Sequence, residues 1–256
     1  MEILKYVEIV DRYPALYLKK LETLIIADLH LGFEWAIAQE GIFIPTTQYQ
    51  EIFKDLQHLL DEKQPELLII NGDLKHEFSK ATSQEWREVI DLLTYLDENV
   101  KKTIVIRGNH DNFIRGFFKR YNNVEFVEPY FQLENYLLTH GHKKMEENLL
   151  KSEKFDLLII AHEHPAILLI DDLGAKIKTR ALLHGKTKEG KQIIVLPPFS
   201  PLATGVEINL TPQEELLSPI LREHVDIMQL EVYAIDKKTE TLKFPKLALW
   251  HSLTHL

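Results

Sequence analysis

The sequence predicts an α/β protein, and three observations predict it. Short apolar runs rich in β-branched residues alternate with segments of helical periodicity. Two of the helical segments begin with capping-box patterns. Five of the apolar runs end in Asp, Asn or His, as strands do where an α/β sheet gathers a ligand site at its carboxyl edge.

LETLIIADLH, from Leu21 to His30, reads as a buried strand with a polar exit. The segment 47–62 reads as a helix. Thr47 and Gln50 form its capping box, and Ile52, Phe53, Leu56, Leu59 and Leu60 recur at helical spacing. ELLIINGD is a second strand, and TSQEWREVIDLLTYLDEN a second helix opened by Thr82 and Glu85. KTIVIRGNHD, NYLLTHGH and DLLIIAHEHP supply three further strands. After Lys191 the pattern changes: QIIVLPPFSPLATG is a strand entering a Pro-rich loop, and VDIMQLEVYAID and TLKFPKLALW read as closing strands. No linker composition interrupts the chain, so residues 1–256 are expected to form one domain.

Composition narrows the chemistry. With 45% hydrophobic residues the 256-residue chain can bury a large core. It has no run of about 18 apolar residues and no basic, apolar leader at MEILKYVEIVDRYP, so a membrane span is not expected and a cytoplasmic location is. The absence of cysteine excludes disulfides, thiolate metal sites and a thiol nucleophile. A net charge of −9 argues against a globally basic nucleic-acid binder, although a nuclease needs only a local basic groove.

The five polar exits are Asp28 and His30; Asp73, after Asn71 and Gly72; Asn109, His110 and Asp111; His140 and His142; and His162 and His164. In an extended segment residues i and i+2 face the same side, so each D-x-H or H-x-H pair can reach one centre. Gly72, Gly108 and Gly141 allow tight turns and close backbone approach. Oxygen and imidazole donors suit Mn, Fe, Zn, Ni or Co better than Ca. Two such ions about 3.5–4 Å apart can clamp the attacking and leaving oxygens of an in-line displacement.

Asp28-Leu29-His30, Gly72-Asp73, Gly108-Asn109-His110-Asp111, His140 and Ala161-His162-Glu163-His164 resemble, in order, the signature of the calcineurin-like metallophosphoesterases. The motifs span residues 28–164. IADLHLGFE, NGDLKHEF, LLTHGHK, AHEHPAI and LPPFSPLATG resemble more narrowly the small prokaryotic phosphoesterases that include the ligase-associated DNA-damage-response endonucleases. The resemblance implies a four-layer α/β/β/α sandwich with two mixed sheets. It implies two divalent transition-metal ions, manganese foremost. One would be held by Asp28, His30, Asp73 and His164, the other by Asp73, Asn109, His140 and His162. It also implies a hydroxide between them as nucleophile, His110 at the leaving oxygen and Asp111 orienting His110. Ala161 departs from the usual glycine, and His76 stands where many relatives carry Asp or Asn. His76, His142 and Arg107 are candidates for an outer or substrate contact.

The implied function is hydrolysis of a phosphodiester, foremost in DNA, with a helicase or ligase partner left open. A small nucleotide or other soluble diester is the alternative, favoured by the net acidity. A metal-loaded scaffold in a repair assembly is the third reading, against which stand the complete motifs and His110. His58 reads as solvated on its helix, and His184, His224, His251 and His255 carry no motif. The basic stretch 174–191 reads first as a solvated hairpin and second as a phosphate groove. Arg115, Lys119 and Arg120 share that ambiguity, and Phe113, Phe117 and Phe118 read first as core and second as base-stacking residues.

Overall fold

Strands that are apolar on both faces and return through helices pair in parallel and are covered on both sides. That is the arrangement around the motif-bearing strands in the computed structural model, which describes residues 1–79, 81–170 and 173–250. His251 and His255 lie outside the described residues. The first sheet has seven strands among the described residues, ordered as in the chain. They are β1 (Glu2–Leu4), β2 (Val7–Ile9), β3 (Leu16–Leu18), β4 (Thr23–Ile26), β5 (Leu67–Asn71), β6 (Lys102–Ile106) and β7 (Val124–Val127). Strands β4 to β7 are parallel, and β1 to β4 form an antiparallel meander.

The second sheet has nine strands among the described residues: β8 (Phe131–Leu133), β9 (Tyr136–Leu138), β10 (Leu157–Ile160), β11 (Pro165–Ile170), β12 (Lys176–Lys186), β13 (Gln192–Val195), β14 (Val206–Glu207), β15 (Glu231–Ile235) and β16 (Leu242–Phe244). Strand β10 runs parallel to both β9 and β13, while β12 is antiparallel to β11, β13 and β15.

Period-two alternation decides what each strand residue meets. Ile25, Ile69 and Ile104 face inward and share a core with Leu138, Ile159 and Ile194 of the other sheet. Their neighbours Leu24, Leu68 and Val105 face outward. There they meet Ile52, Leu56 and Leu59 of α2 (Gln48–Lys63) and Val89, Leu92 and Leu96 of α3 (Ser83–Asn99). On the far side Leu137, Leu158 and Ile193 pack against Leu150 of α4 (Glu147–Leu150), Ile220 and Leu221 of α5 (Pro219–His224) and Leu247 of α6 (Leu247–Trp250). Each such fully buried aliphatic side chain contributes roughly 1.5–3 kcal/mol. The result is the expected four-layer α/β/β/α sandwich with two mixed sheets. The short helix α1 (Phe33–Gln39) follows the exit of β4.

Two local expectations are corrected. The Thr82–Glu85 capping box forms, but Thr47 makes no side-chain cap bond. The free amide at the start of α2, that of Gln48, goes instead to Glu34 Oε1 at 2.6 Å. The two closing segments are only partly strand. Residues Ile227–Gln229 form a 3-10 turn ahead of β15, and the end of TLKFPKLALW is α6. No helix among the described residues is long and apolar enough to cross a membrane.

Candidate metal centre

The five polar exits converge, but they come from two facing sheets rather than from the edge of one. Strands β4, β5 and β6 deliver Asp28, His30, Asp73, Asn109 and His110, and β9 and β10 deliver His140, His142, His162 and His164. Backbone bonds continue past the ladders and zip the exits together. Asp28 donates to the Gly72 carbonyl at 3.1 Å, His30 to that of Asp73 at 2.9 Å, and Ala161 to that of His140 at 3.0 Å. The turns are sharp enough to force left-handed φ on side-chain-bearing residues: 55° at Asp28, 48° at His30, 46° at Asp73, 69° at His162 and 49° at His164. Each costs about 1 kcal/mol or more for an L-residue. That strain concentrates at ligand-type residues and not in the surrounding strands.

Two glycines make the approach possible. A Cβ on Gly72 would lie 2.1 Å from His140 Nδ1, and one on Gly108 would lie 2.0 Å from Asp73 Oδ1.

Three donor groups result among the described residues: His30, His76 and His110 form one, and the other two share Asp73. In one of these two, the donor atoms of Asp28, His30, Asp73 and His164 lie within 4.8 Å of one another. In the other, the same holds for Asp73, His140 and His162. Asn109 Oδ1, 3.0 Å from His140 Nε2, adds a carbonyl oxygen to the second. The nitrogens His30 Nε2 and His164 Nε2 face each other at 3.2 Å, and His140 Nε2 lies 3.2 Å from Asp73 Oδ2. Asp28 Oδ1 is buried without a hydrogen-bond partner. A shared carboxylate, converging imidazoles and an orphaned carboxylate oxygen fit bound metal.

For His30 and His162 the electrostatics agree. Burial drives the His30 imidazole down to about 3 and His162 to about 4, which keeps their ring nitrogens free of extra protons. Asp73 is held well below the usual carboxylate range: burial opposes this, but His140, His30 and His110 outweigh it. The same carboxylate and Asp28 draw His140 up to about 9 against its burial.

His110 stands beside both groups. Its Nε2 is 3.8 Å from Asp73 Oδ2, and its Nδ1 bonds to the His76 carbonyl. The expectation that Asp111 orients the His110 ring is therefore corrected. The Asp111 carboxylate accepts from the amides of Leu74 at 2.9 Å, Lys75 at 3.4 Å and Gly108 at 2.8 Å, locking the β5 and β6 exits to each other. His76 does contact the site, its Nδ1 lying 3.3 Å from His30 Nδ1 and its ring stacking on Phe33 at 3.9 Å. Arg107 is one step further out: it bonds Glu128 and Asn112, and Asn112 holds the Phe78 and Asn109 carbonyls. His142 lies 5.2 Å from the His140 ring and 6.0 Å from that of His162, with Nδ1 unpartnered.

Several bracing residues escaped the sequence reading. Gln48 Nε2 donates to the Leu29 and His30 carbonyls, and Glu85 Oε1 takes the amides of His76 and Glu77. Asn71 Nδ2 reaches from β5 across to the Thr139 carbonyl of the second sheet at 3.1 Å. A lone amide closing the apolar run LLIIN is a legible signal for Asn71, whereas nothing local marks Gln48. The basic stretch is largely consumed by the protein itself. Lys178, Arg180, Lys188 and Lys191 bond the carbonyls of Gly205, Ser200, Glu223 and Phe155. Phe117 and Phe118 are core residues as expected, while Phe113 is exposed.

The family model described as calcineurin-like phosphoesterase matches residues 21–177. Among solved structures, Pseudomonas putida nuclease MPE is similar at 20% identity and a TM-score of 0.60, over 90% of this chain and 92% of that one. Yfce, a phosphoesterase from Escherichia coli, is 16% identical with a TM-score of 0.42, over 88% of this chain and 98% of its own. The search of curated protein sequences returns no match.

Proposed function

The chain belongs to the calcineurin-like phosphoesterase family of metal-dependent hydrolases, and on that premise we propose that it cleaves phosphodiester bonds in nucleic acid, DNA foremost. The observation that carries the reading is the pair of donor groups joined through Asp73 with His110 beside them. Asp28, His30, Asp73 and His164 would hold one cation, and Asp73, Asn109, His140 and His162 the other, manganese being the first to try. Bound there, two divalent cations supply Lewis-acid charge to the phosphoryl oxygens and acidify a water.

The remaining chemistry belongs to the chain. The His76 carbonyl accepts a hydrogen bond from His110 Nδ1, which leaves Nε2 as the atom that would carry a proton to the departing oxygen. Water adds at phosphorus and loses a proton to solvent, the ester P–O bond breaks, the Nε2 proton neutralises the leaving alkoxide, and His110 regains a proton from solvent. Phe78, 3.7 Å from the His110 ring, limits water on that flank. The Pseudomonas putida protein with this fold is named a nuclease, which supports the choice of substrate.

The test is cleavage of end-labelled single- and double-stranded DNA after metal removal and Mn²⁺ add-back, with His110→Ala alongside. Cleavage that disappears with chelator and in the variant supports the reading. Metal-loaded protein that cleaves bis(p-nitrophenyl) phosphate but no DNA moves the substrate to a small diester, which the net charge of −9 favours. No diester cleavage at all overturns the reading.

A further inference from the structure

A cavity of about 590 Å³ opens beside the second donor group. That volume is within the range of small-molecule sites, roughly 300–1,000 Å³. Its walls come from the exit of β9 and from the segment leading into α4, with Tyr130, Thr139, His142, Lys143, Asn148 and Lys154 among the lining residues. His142 lines it while its ring lies 5.2 Å from that of His140, a residue of the second donor group.

The polar groups of this wall are unevenly spent. Thr139 Oγ1 already donates to the Pro129 carbonyl, and Lys144 pairs with Glu223 at 2.6 Å. Lys143 and Lys154 pair with no carboxylate among the described residues, and His142 Nδ1 is buried without a partner. Glu146 is the one carboxylate of the lining, and Lys144 is paired with Glu223, so Lys143 and Lys154 leave the wall with a net positive charge that can accept an anion in a protein of net charge −9.

We propose that this cavity is a subsite for the nucleoside next to the scissile bond and for the next phosphate along the strand. His142 and Lys143 would meet the sugar and base side, and Lys154 with Lys143 would hold the phosphate. The preferred substrate is then a strand with at least one phosphate flanking the bond that breaks, not an isolated diester. This rests on the hydrolytic reading above and specifies the substrate of the same site.

The experiment compares d(TpT), d(pTpT) and d(TpTp) as substrates of the metal-loaded protein, with Lys143→Ala/Lys154→Ala as the variant. One of the two phosphorylated dinucleotides is expected to show a KM about tenfold lower than d(TpT), as loss or gain of one charge-assisted phosphate contact allows. The double variant should bring that ratio close to one. Lys101→Ala/Lys102→Ala, which removes the same charge at the amino end of β6 on the opposite side of the sheet, should preserve it. Fluorescence anisotropy of labelled d(pTpTp) in EDTA reads the subsite without catalysis: wild-type protein should bind about tenfold more tightly than the variant. A failure to cleave any dinucleotide while the anisotropy difference stands counts against the hydrolytic reading and for the subsite. Equal KM values for all three dinucleotides in wild-type protein, or equal anisotropy curves for wild type and variant, overturn the subsite.

Discussion

The loops after β4, β5 and β6 are laced together by three buried side chains, whereas those after β9 and β10 are tied to the segment 217–218. On the first side Gln48, Glu85 and Asp111 between them bind amides or carbonyls of the segments 29–30, 74–77 and 108. On the second side one buried carboxylate, Glu163, takes the amides of Leu217 at 3.0 Å and Ser218 at 2.8 Å, and Ser218 Oγ donates to the Gly141 carbonyl. The difference follows the division of labour. His110, the group proposed to move a proton, rides on the braced side. The second side contributes imidazoles and borders the cavity proposed above as a subsite.

The largest effect is expected where the two sides meet. Asp73 belongs to both donor groups, so Asp73→Asn should lower phosphodiesterase activity by more than about 10³-fold, beyond the loss of a single charge-stabilising donor. Metal content measured by plasma mass spectrometry should fall with it. A variant that keeps both its metal and its rate would show that the two sides do not share a centre.

Asp111→Asn and Glu163→Gln apply one chemical change to each side. Both turn a buried acceptor of backbone amides into a group with its own donors. Asp111→Asn should cost about 3 kcal/mol in denaturant unfolding and also lower kcat, because it loosens Gly108 against Leu74 beside His110. Glu163→Gln should cost about 1–2 kcal/mol, with a smaller change in kcat. Equal kinetic losses would erase the distinction between the two sides.

Close approach gives a finer comparison within the β6 exit. Gly108→Ala pushes a methyl group into Asp73 and should weaken metal binding about 10–100-fold. Gly116→Ala, where nothing lies within 4 Å of the new Cβ, should stay within about 0.5 kcal/mol of wild type. Isothermal titration with Mn²⁺ and thermal denaturation check the pair, and a Gly108 variant that binds metal normally would remove close packing as the reason for that glycine.

Much of this architecture was legible in the chain because it is local. The runs LLII and TIVI show their strands by composition, and Thr82 with Glu85 shows its helix start by spacing. The ligand-type residues were legible because polar groups at the end of apolar runs are conspicuous. What the sequence hid is long-range. Thr47 looked like a cap, but Glu34, fourteen residues earlier, takes the first amide of α2. Asp111 looked like the partner of its neighbour His110, but its bonds go to Leu74, Lys75 and Gly108. In both cases a nearby polar pair in sequence lost to a partner that only the fold brings close.

The smallest effect tests the braced side through pH. Glu88, buried on α3, accepts from the Gly32 amide at 2.9 Å and from Gln84 at 2.7 Å, so it ties α3 to the turn before α1. Burial pushes its carboxyl up to about 7; the Gln84 amide pulls against this and the nearby Glu34 adds to it. With the folded value above the unfolded one, the native state binds the extra proton. Its contribution is therefore full below roughly pH 4.5 and is lost as pH rises through about 7. Glu88→Gln stays neutral and removes this term. The Tm of the variant relative to wild type should accordingly rise by about 2–4 °C between pH 5 and pH 8, since the other titrating groups cancel in the difference. A difference that stays constant over that range would mean that Glu88 is already ionised and that its bonds to Gly32 and Gln84, not its proton, brace the loop.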